Sequence, residues 1–547
     1  MITGKNCVCD AHIAPEREEM DMNHSAFIIP ESSSQQPHFE VVNDRRVLYV
    51  DGRPFTALTV EIPWWDLIDG RYEETHSVYD ALYPAASAMG LNTIKVPVKW
   101  SMIETKKGKY DFRYVDHVKS MAEKSGLKVV LGWFGHYASG DGNIYRNLTG
   151  EVFAPTYVIE DDETYPRAVD KGGTAHHNCI SYAYDAVIDV ETEAFKAFMT
   201  HVKKVDEGTH TIIMVQVENE IAVFGADRQN RNMWRDHSLA ANQAFEDNGF
   251  TDDLKFSAWS LSSRWIRKLT EEGNQIYPLP FFANFVGGKL KDGLTGGSPG
   301  EDVSTYLEHC PHLDFCGLNL YVQPGRSIND LRGALNGYKT GRNLPSITET
   351  NSDLSKMAPR IAYLSIGEYG APIFAPWALN TSCPTPYQPY VLEDGSTANG
   401  APGLKECYDS INMAMSQISY YAGTDNLKVF MGVQPGDEFS YTIDMKDTKL
   451  VVGGETEGQA MILHVHENEF LVIGYRCHVS ISTPYATWPA LKNIQVEKGS
   501  WKANEWSCIG EARYTINQSK HAVGVSLDTA QVVRIHLNKK EECPQVE

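Results

Sequence analysis

Apolar residues along the first three-quarters of the chain come in short blocks, separated by longer stretches in which apolar and polar positions mix. "FTALTVEIPWW" (55–65), "NTIKVPVKW" (92–100), "LKVVLGWFG" (127–135) and "TIIMVQVENE" (211–220) read as buried strands. "PLPFFANFVG" (278–287), "LDFCGLNLY" (313–321), "LPSITET" (344–350) and "APIFAPW" (371–377) continue the series. Between them, "SVYDALYPAASAM", "YVDHVKSMAEKSG", "ETEAFKAFMTHVKKV" and "SKMAPRIAYLSIGEYG" space their apolar positions as helices do. Eight strands alternating with helices predict a parallel sheet with right-handed crossovers, and eight such units predict an α/β fold of the closed (β/α)8 TIM barrel type. A helix around "ECYDSINMAMSQISYYAG" would complete the ring.

After about residue 425 the pattern changes to short alternating runs broken by turn residues: "KLVVGG", "AMILHVHENEFLVIGYRCHVSI", "VVRIHLN". These predict a C-terminal antiparallel β-sandwich domain. The first 40 residues are polar and end in "PESSSQQPHFE", which predicts a loose extension. The chain thus divides into an N-terminal extension (1–40), a barrel (41–425) and a β domain (426–547). No repeat with a period of about 20–50 residues runs through it.

Composition narrows the partners. The formal net charge of −22 argues against nucleic acid, whose phosphates need clustered Lys and Arg, and against an anionic membrane surface. A neutral substrate met by aromatic faces and hydrogen bonds fits that charge better. No apolar run reaches the ~18–20 residues of a membrane span, and the opening "MITGKNCVCDAHIAPEREEM" lacks the apolar core of a secretory signal. With ten scattered cysteines, these features predict a cytoplasmic protein with free thiols. Sequons at Asn147, Asn380 and Asn517 point weakly the other way. Nothing in the sequence decides against a homo-oligomer.

Candidate chemistry collects at the predicted strand ends, where a βα barrel opens its pocket. Glu61 falls at the end of the first strand, Trp133 of the third, Glu220 of the fourth, Asn284 of the fifth, Tyr321 of the sixth, Glu349 of the seventh and Trp377 of the eighth. Two carboxyl groups facing one another across a pocket suit glycosidic-bond cleavage: one donates a proton to the leaving oxygen, the other attacks the anomeric carbon. A separation of about 5–5.5 Å leaves no room for a water and gives retention. Trp133 and Trp377 could stack on a sugar, although tryptophans more often belong to the core. Glu368 in "SIGEYG" is the rival to Glu349, and its place at a helix end predicts a solvated structural role. "HVH" at His464 and His466 has no third ligand at a metal-site spacing, and "TAHHNC" is similarly weak. There is no phosphate loop, dinucleotide fingerprint or nucleophile elbow, so neither cofactor nor metal is expected.

Several segments together resemble glycoside hydrolase family 35, the β-galactosidases of clan A, in the bacterial and fungal branch with a C-terminal β domain. "QVENE" is similar to that family's acid/base motif, and "NTIKVPVKWSMIETKKGKYDF" to its strand-two signature. "LKVVLGWFG", "VDEGTHTIIMVQVENEI" and "ENEFLVIGYRCHVSI" resemble the branch, so the likeness spans roughly residues 41–540. It implies that Glu220 is the general acid/base, Glu349 the nucleophile, Asn219 the amide that holds the sugar 2-hydroxyl, and Tyr321 the tyrosine bonded to the nucleophile. Glu61 would contact sugar hydroxyls. Ala222, His136 and Asn319 depart from the family's usual lining. The implied activity is a retaining exo-acting β-glycosidase on an oligosaccharide or glycoside, with galactose the family's usual sugar. A transglycosylase, a β-glucoside-active enzyme and a non-catalytic sugar-binding barrel are the alternatives.

Overall fold

The computed structural model describes residues 25–537, apart from residues 26, 65–66, 68–71, 73–78, 136–152, 225–233, 287–302, 323–324, 352–355, 381–388, 393 and 503. Among these, eight parallel strands form one sheet: β1 (Ala57–Leu58), β2 (Thr93–Lys99), β3 (Lys128–Phe134), β4 (Ile212–Val217), β5 (Phe281–Val286), β6 (Leu313–Leu320), β7 (Ser346–Thr350) and β8 (Ile373–Phe374). From β2 to β8 each strand pairs with the next in sequence, and β8 pairs back onto β1. The ring closes where Glu61, just beyond β1, bridges Lys95 on β2, with the Ile62 N–H donating to the Lys95 carbonyl at 2.9 Å. β2 and β7 are buried along their whole length, as strands covered on both faces must be. The fold is therefore an α/β barrel followed by an antiparallel sheet.

Helices cover the barrel where the sequence periodicity places them. The longest, Asp185–Asp206, buries Val187, Ile188, Phe195, Phe198, Met199 and Val202 along one stripe. The helix Arg113–Lys124 ends at Gly126, whose φ of +68° is a backbone conformation that glycine adopts without a Cβ penalty.

Residues 25–40 are not the loose extension that their composition predicts. Phe27 is fully buried, its ring edge-on to Trp501 at 6.1 Å, and Ile29 exchanges two hydrogen bonds with the Asn504 side chain. An antiparallel hairpin, His38–Val42 with Arg45–Val50, follows; Leu48 and Val50 pack with Val130, Ile213, Phe282 and Phe315 and so close the bottom of the barrel. A few apolar residues among many polar ones suffice to dock a segment, which composition averages away.

From Leu427 the chain forms a nine-stranded antiparallel sheet. Its two longest strands, Thr448–His466 and Glu469–Ser482, pair along their length with an irregularity between Gly454 and Gln459. One half of each pairs with one set of neighbours and the other half with another, so the sheet folds over a core that includes Leu450, Val452, Phe470, Val472, Val525 and Ile535. The expected sandwich is thus one continuous bent sheet. Alternation along its strands gives it a second apolar face. Met461, Leu463, Leu471, Ile473 and Tyr475 belong to the core of the barrel helices, with Tyr363, Ile366 and Tyr408.

This packing leaves no slack at Gly367, where an added Cβ would lie 2.6 Å from a Val429 methyl and 3.0 Å from the Met461 methyl. Gly367→Val should lower stability by about 1–3 kcal/mol in urea melts. Ending the chain after residue 425 should give insoluble protein, because that apolar face would lie bare. A soluble, folded fragment 41–425 would contradict the packing described.

Candidate active site

The end of β4 carries unusual backbone. Glu218 and Glu220 both have positive φ, +64° and +47°, a region costly for residues with a Cβ. Such a turn persists only where its surroundings fix it. Here the Glu218 N–H donates to the Trp133 carbonyl at 2.9 Å, the Gln216 amide donates to the Glu218 carbonyl at 3.0 Å, and the Glu220 N–H donates to Asn284 Oδ1 at 2.7 Å. The turn sends Glu220 toward the pocket and Glu218 behind it.

Asn284, fully buried at the end region of β5, joins three of the sequence-predicted residues. Its Nδ2 donates to Asn219 Oδ1 at 2.9 Å and to Glu349 Oε1 at 3.0 Å, while its Oδ1 takes the Glu220 N–H. Every hydrogen-bonding position that its amide uses here holds a pocket residue. Tyr321 completes the shell, its hydroxyl donating to Glu349 Oε2 at 2.7 Å. Asn319, noted in the sequence as a departure, donates to Glu220 Oε1 at 3.0 Å and accepts from Thr348 Oγ1 at 2.9 Å.

Lys95 was not read from the sequence. Its ammonium, buried inside the barrel, lies 2.6 Å from Glu61 Oε2 and 3.1 Å from the Thr348 carbonyl, so one cation ties the first, second and seventh strands together. The available signal was a lysine inside an otherwise apolar strand, "TIKVPVK", where an unpaired charge would be prohibitive. Glu61 Oε1 has no hydrogen-bond partner among the described residues. Burial raises the Glu61 carboxyl, the Lys95 charge and hydrogen bond oppose that, and the charge of Glu220 adds to it. Burial likewise pushes Glu349 well above the usual carboxylate range; the charges of Glu61 and Glu220 add to this, against Lys95 and the Tyr321 hydrogen bond. The pocket therefore holds carboxyl groups that feel one another's charge.

The two tryptophans separate. Trp377 lies at the barrel mouth, its backbone bridging Glu61 and Asn351 and its ring 6.0 Å from Trp64. Trp64 in turn meets Phe134 and Phe153, forming an aromatic wall beside Glu61. Trp133 is not part of that wall. Its ring is fully buried against Phe195 and Phe198 of the surrounding helix, and its Nε1 donates to Glu191 at 3.1 Å. One position along a strand reverses the facing direction, and Trp133 falls on the helix side. Of the residues expected at the pocket, Glu61, Asn219, Glu220, Asn284, Tyr321, Glu349 and Trp377 come to one end of the barrel, and Trp133 does not. Glu368 lies at a helix end, paired with Arg332 at 3.0 Å. His136 is outside the described residues.

The histidines of "HVH" part company too: His464 is buried and stacked on Phe470 at 4.2 Å, with burial holding its imidazole down to about 4, while His466 bonds Asn468 at the surface. Among the described residues no group of three or more His, Cys, Asp or Glu could hold a metal ion, and no helix is long and apolar enough to cross a membrane.

Comparison with known proteins gives breadth rather than a near relative. A family described as a domain of unknown function (DUF5597) matches residues 404–509, the end of the barrel and much of the C-terminal sheet. No curated protein sequence is detectably similar to the chain. Among solved structures, a β-galactosidase from the psychrophilic Marinomonas ef1 is 11 % identical, with 65 % of this chain and 59 % of that one covered at a TM-score of 0.46. The catalytic domain of a β-amylase from Paenibacillus polymyxa is 12 % identical over 64 % of this chain and 96 % of that one, at 0.49. The exo-β-1,4-mannosidase Op5Man5 from Opitutaceae bacterium strain TAV5 is 14 % identical over 68 % and 61 %, at 0.43. At such values the functional reading rests on the site's own geometry.

The placing of Trp133 has a direct check. Trp133→Phe keeps most of the ring but removes the N–H from buried Glu191, which should cost about 1–3 kcal/mol in urea denaturation. Binding of sugar ligands, measured by calorimetry, should not change.

Proposed function

We propose that the chain is a glycoside hydrolase: a retaining, exo-acting β-glycosidase with a terminal β-galactoside as its favoured substrate. The observation that carries this reading is the Asn284 amide, which joins the Glu220 backbone to the Glu349 carboxyl and brings two carboxyl groups from non-adjacent strands to one pocket. Galactose follows from the resemblance of "QVENE" and the strand-two segment to family 35. The exo mode likewise follows from that resemblance.

In this mechanism the ionised Glu349 attacks the anomeric carbon. The glycosidic bond breaks, its electron pair goes to the leaving oxygen, and that oxygen takes a proton from Glu220. Glu220 then removes a proton from water as the water displaces Glu349, returning the sugar with its original anomeric configuration. Two donors, Tyr321 and Asn284, stabilise the charged form of Glu349. Burial and the charges of Glu61 and Glu220 oppose ionisation of Glu349, and the Lys95 charge and the Tyr321 hydrogen bond favour it. Asn219 holds the 2-hydroxyl, Glu61 offers its free oxygen to other hydroxyls, and Trp377 supplies an apolar face.

Glu349→Ala should abolish turnover of nitrophenyl β-glycosides, and added azide should restore part of it as an α-glycosyl azide. Near-normal activity in that variant would refute the assignment. On oligosaccharides, monosaccharide should appear first; an early ladder of mid-sized fragments would sink the exo mode.

Lys95 offers a test of the electrostatics. Its charge lowers the Glu349 carboxyl, so Lys95→Met should raise it. Activity that needs ionised Glu349 is lost as pH falls, so the acidic limb of kcat/KM should move to higher pH. An unmoved limb would show that the two groups are not coupled.

A further inference from the structure

Directly behind the catalytic turn, on the helix side of the barrel wall, lies a second pair of carboxyl groups that the proposed reaction does not use. Glu191, on the helix Asp185–Asp206, and Glu218, two residues before Glu220, are both fully buried and are hydrogen-bonded to each other. Two ionised carboxylates cannot be in contact in a dry interior, so the pair holds a proton.

The surrounding donors decide where it sits. Glu191 receives the Trp133 indole N–H on Oε1 at 3.1 Å and the Trp265 indole N–H on Oε2 at 2.9 Å. The Tyr182 side chain, stacked on Trp265 at 3.7 Å, lies beside it. Indole N–H groups can only donate. With the bond from Glu218, both oxygens of Glu191 are occupied by donors. An indole donor on each oxygen favours the ionised form of Glu191. Glu218 is met by a backbone N–H, that of Gly135, at 3.0 and 3.2 Å to its two oxygens, and can still donate. Among the described residues, Tyr182 is a titratable group that faces the pair. Burial raises Glu191, and the hydrogen bonds from Glu218, Trp133, Trp265 and Tyr182 oppose it.

We propose that Glu218 is a carboxylic acid at neutral pH, donating its proton to an ionised Glu191, and that this pair is a positioning element for the turn bearing Glu220. The mechanical link is short. The Glu218 side chain holds the Gly135 N–H at the end of β3, its backbone N–H holds the Trp133 carbonyl, and Glu220 follows after one residue. The site admits no side chain at Gly135, where a Cβ would lie 2.3 Å from Glu191 Oε1. Glycine is required there because the carboxyl pair occupies the space.

The two glutamates should therefore respond unequally to the same substitution. Glu218→Gln keeps an N–H donor toward Glu191 and should fold with nearly the parent melting temperature. Glu191→Gln turns an amide NH2 toward an indole N–H or the Glu218 hydroxyl, and should melt much earlier or fail to fold. Infrared difference spectra at neutral pH, parent minus Glu218→Gln, should show the loss of one protonated-carboxyl carbonyl band. Equal destabilisation by the two substitutions, or no band lost, would overturn the assignment. These readouts need no substrate, so they decide the pair even if no β-glycoside is cleaved. The positioning arm rests on the acid role proposed for Glu220. Glu218→Ala should lower kcat about tenfold or more at unchanged KM, with Glu218→Gln close to the parent. A fall in both variants alike, or in neither, would remove the positioning role.

Discussion

Charge taken out of water is the constraint around which this barrel is built. Glu61, Lys95 and Glu349 are buried at the mouth of the barrel, and Glu191 and Glu218 just behind it. A buried charge is prohibitive alone, and here partners from other strands or helices meet these groups. Asn284 serves Asn219, Glu220 and Glu349 together; Lys95 serves Glu61 and the strand that carries Glu349. The partners come from β1, β2, β4, β5, β6 and β7, so a correctly closed ring is the condition for satisfying them. Ring closure is itself made at Glu61 and Lys95, where the backbone bridge and the ion pair coincide. Closing the barrel and assembling the pocket are in this respect one event.

The rest of the chain keeps that ring rigid. The hairpin that includes Arg45–Val50 closes the bottom, and the C-terminal sheet covers helices on one side with the face that carries Met461, Leu471 and Ile473. Residues 25–29 strap the two parts together through Phe27 on Trp501 and Ile29 on Asn504. A pocket with this many shared buried partners tolerates little movement, since displacing one group disturbs several hydrogen bonds together. The positive-φ residues Glu218 and Glu220 fit the same picture: local strain survives because tertiary contacts on both sides over-determine the turn.

Much of this was legible in the sequence. Eight apolar runs separated by amphipathic stretches specify a βα barrel, since strand burial on both faces and helix burial on one leave different periodicities. The ends of those runs point to Glu61, Asn219, Glu220, Asn284, Tyr321 and Glu349, because a polar residue ending a buried strand needs a reason. What remained hidden depends on parity and distance. Trp133 and Phe134 are adjacent in sequence, yet the one packs on a helix and the other on Trp64 at the barrel mouth. Composition could not reveal that Phe27 and Ile29 dock, because docking depends on where two residues land and not on an average.

The chain's sequence by itself determined the element order, the change from parallel to antiparallel texture near residue 425, and which residue types stand at the strand ends, since these follow from periodicity along the chain. Only the tertiary structure decided that Lys95 reaches Glu61 and the Thr348 carbonyl, that Asn284 joins the Glu220 backbone to the Glu349 side chain, and that Glu191 meets Glu218. Those pairings join residues far apart in sequence, from 27 positions for Glu191 and Glu218 to 253 for Lys95 and Thr348. No local pattern encodes them. They exist because a closed ring brings distant strand ends within a hydrogen bond of one another, and because buried charge leaves each of them no other partner to take.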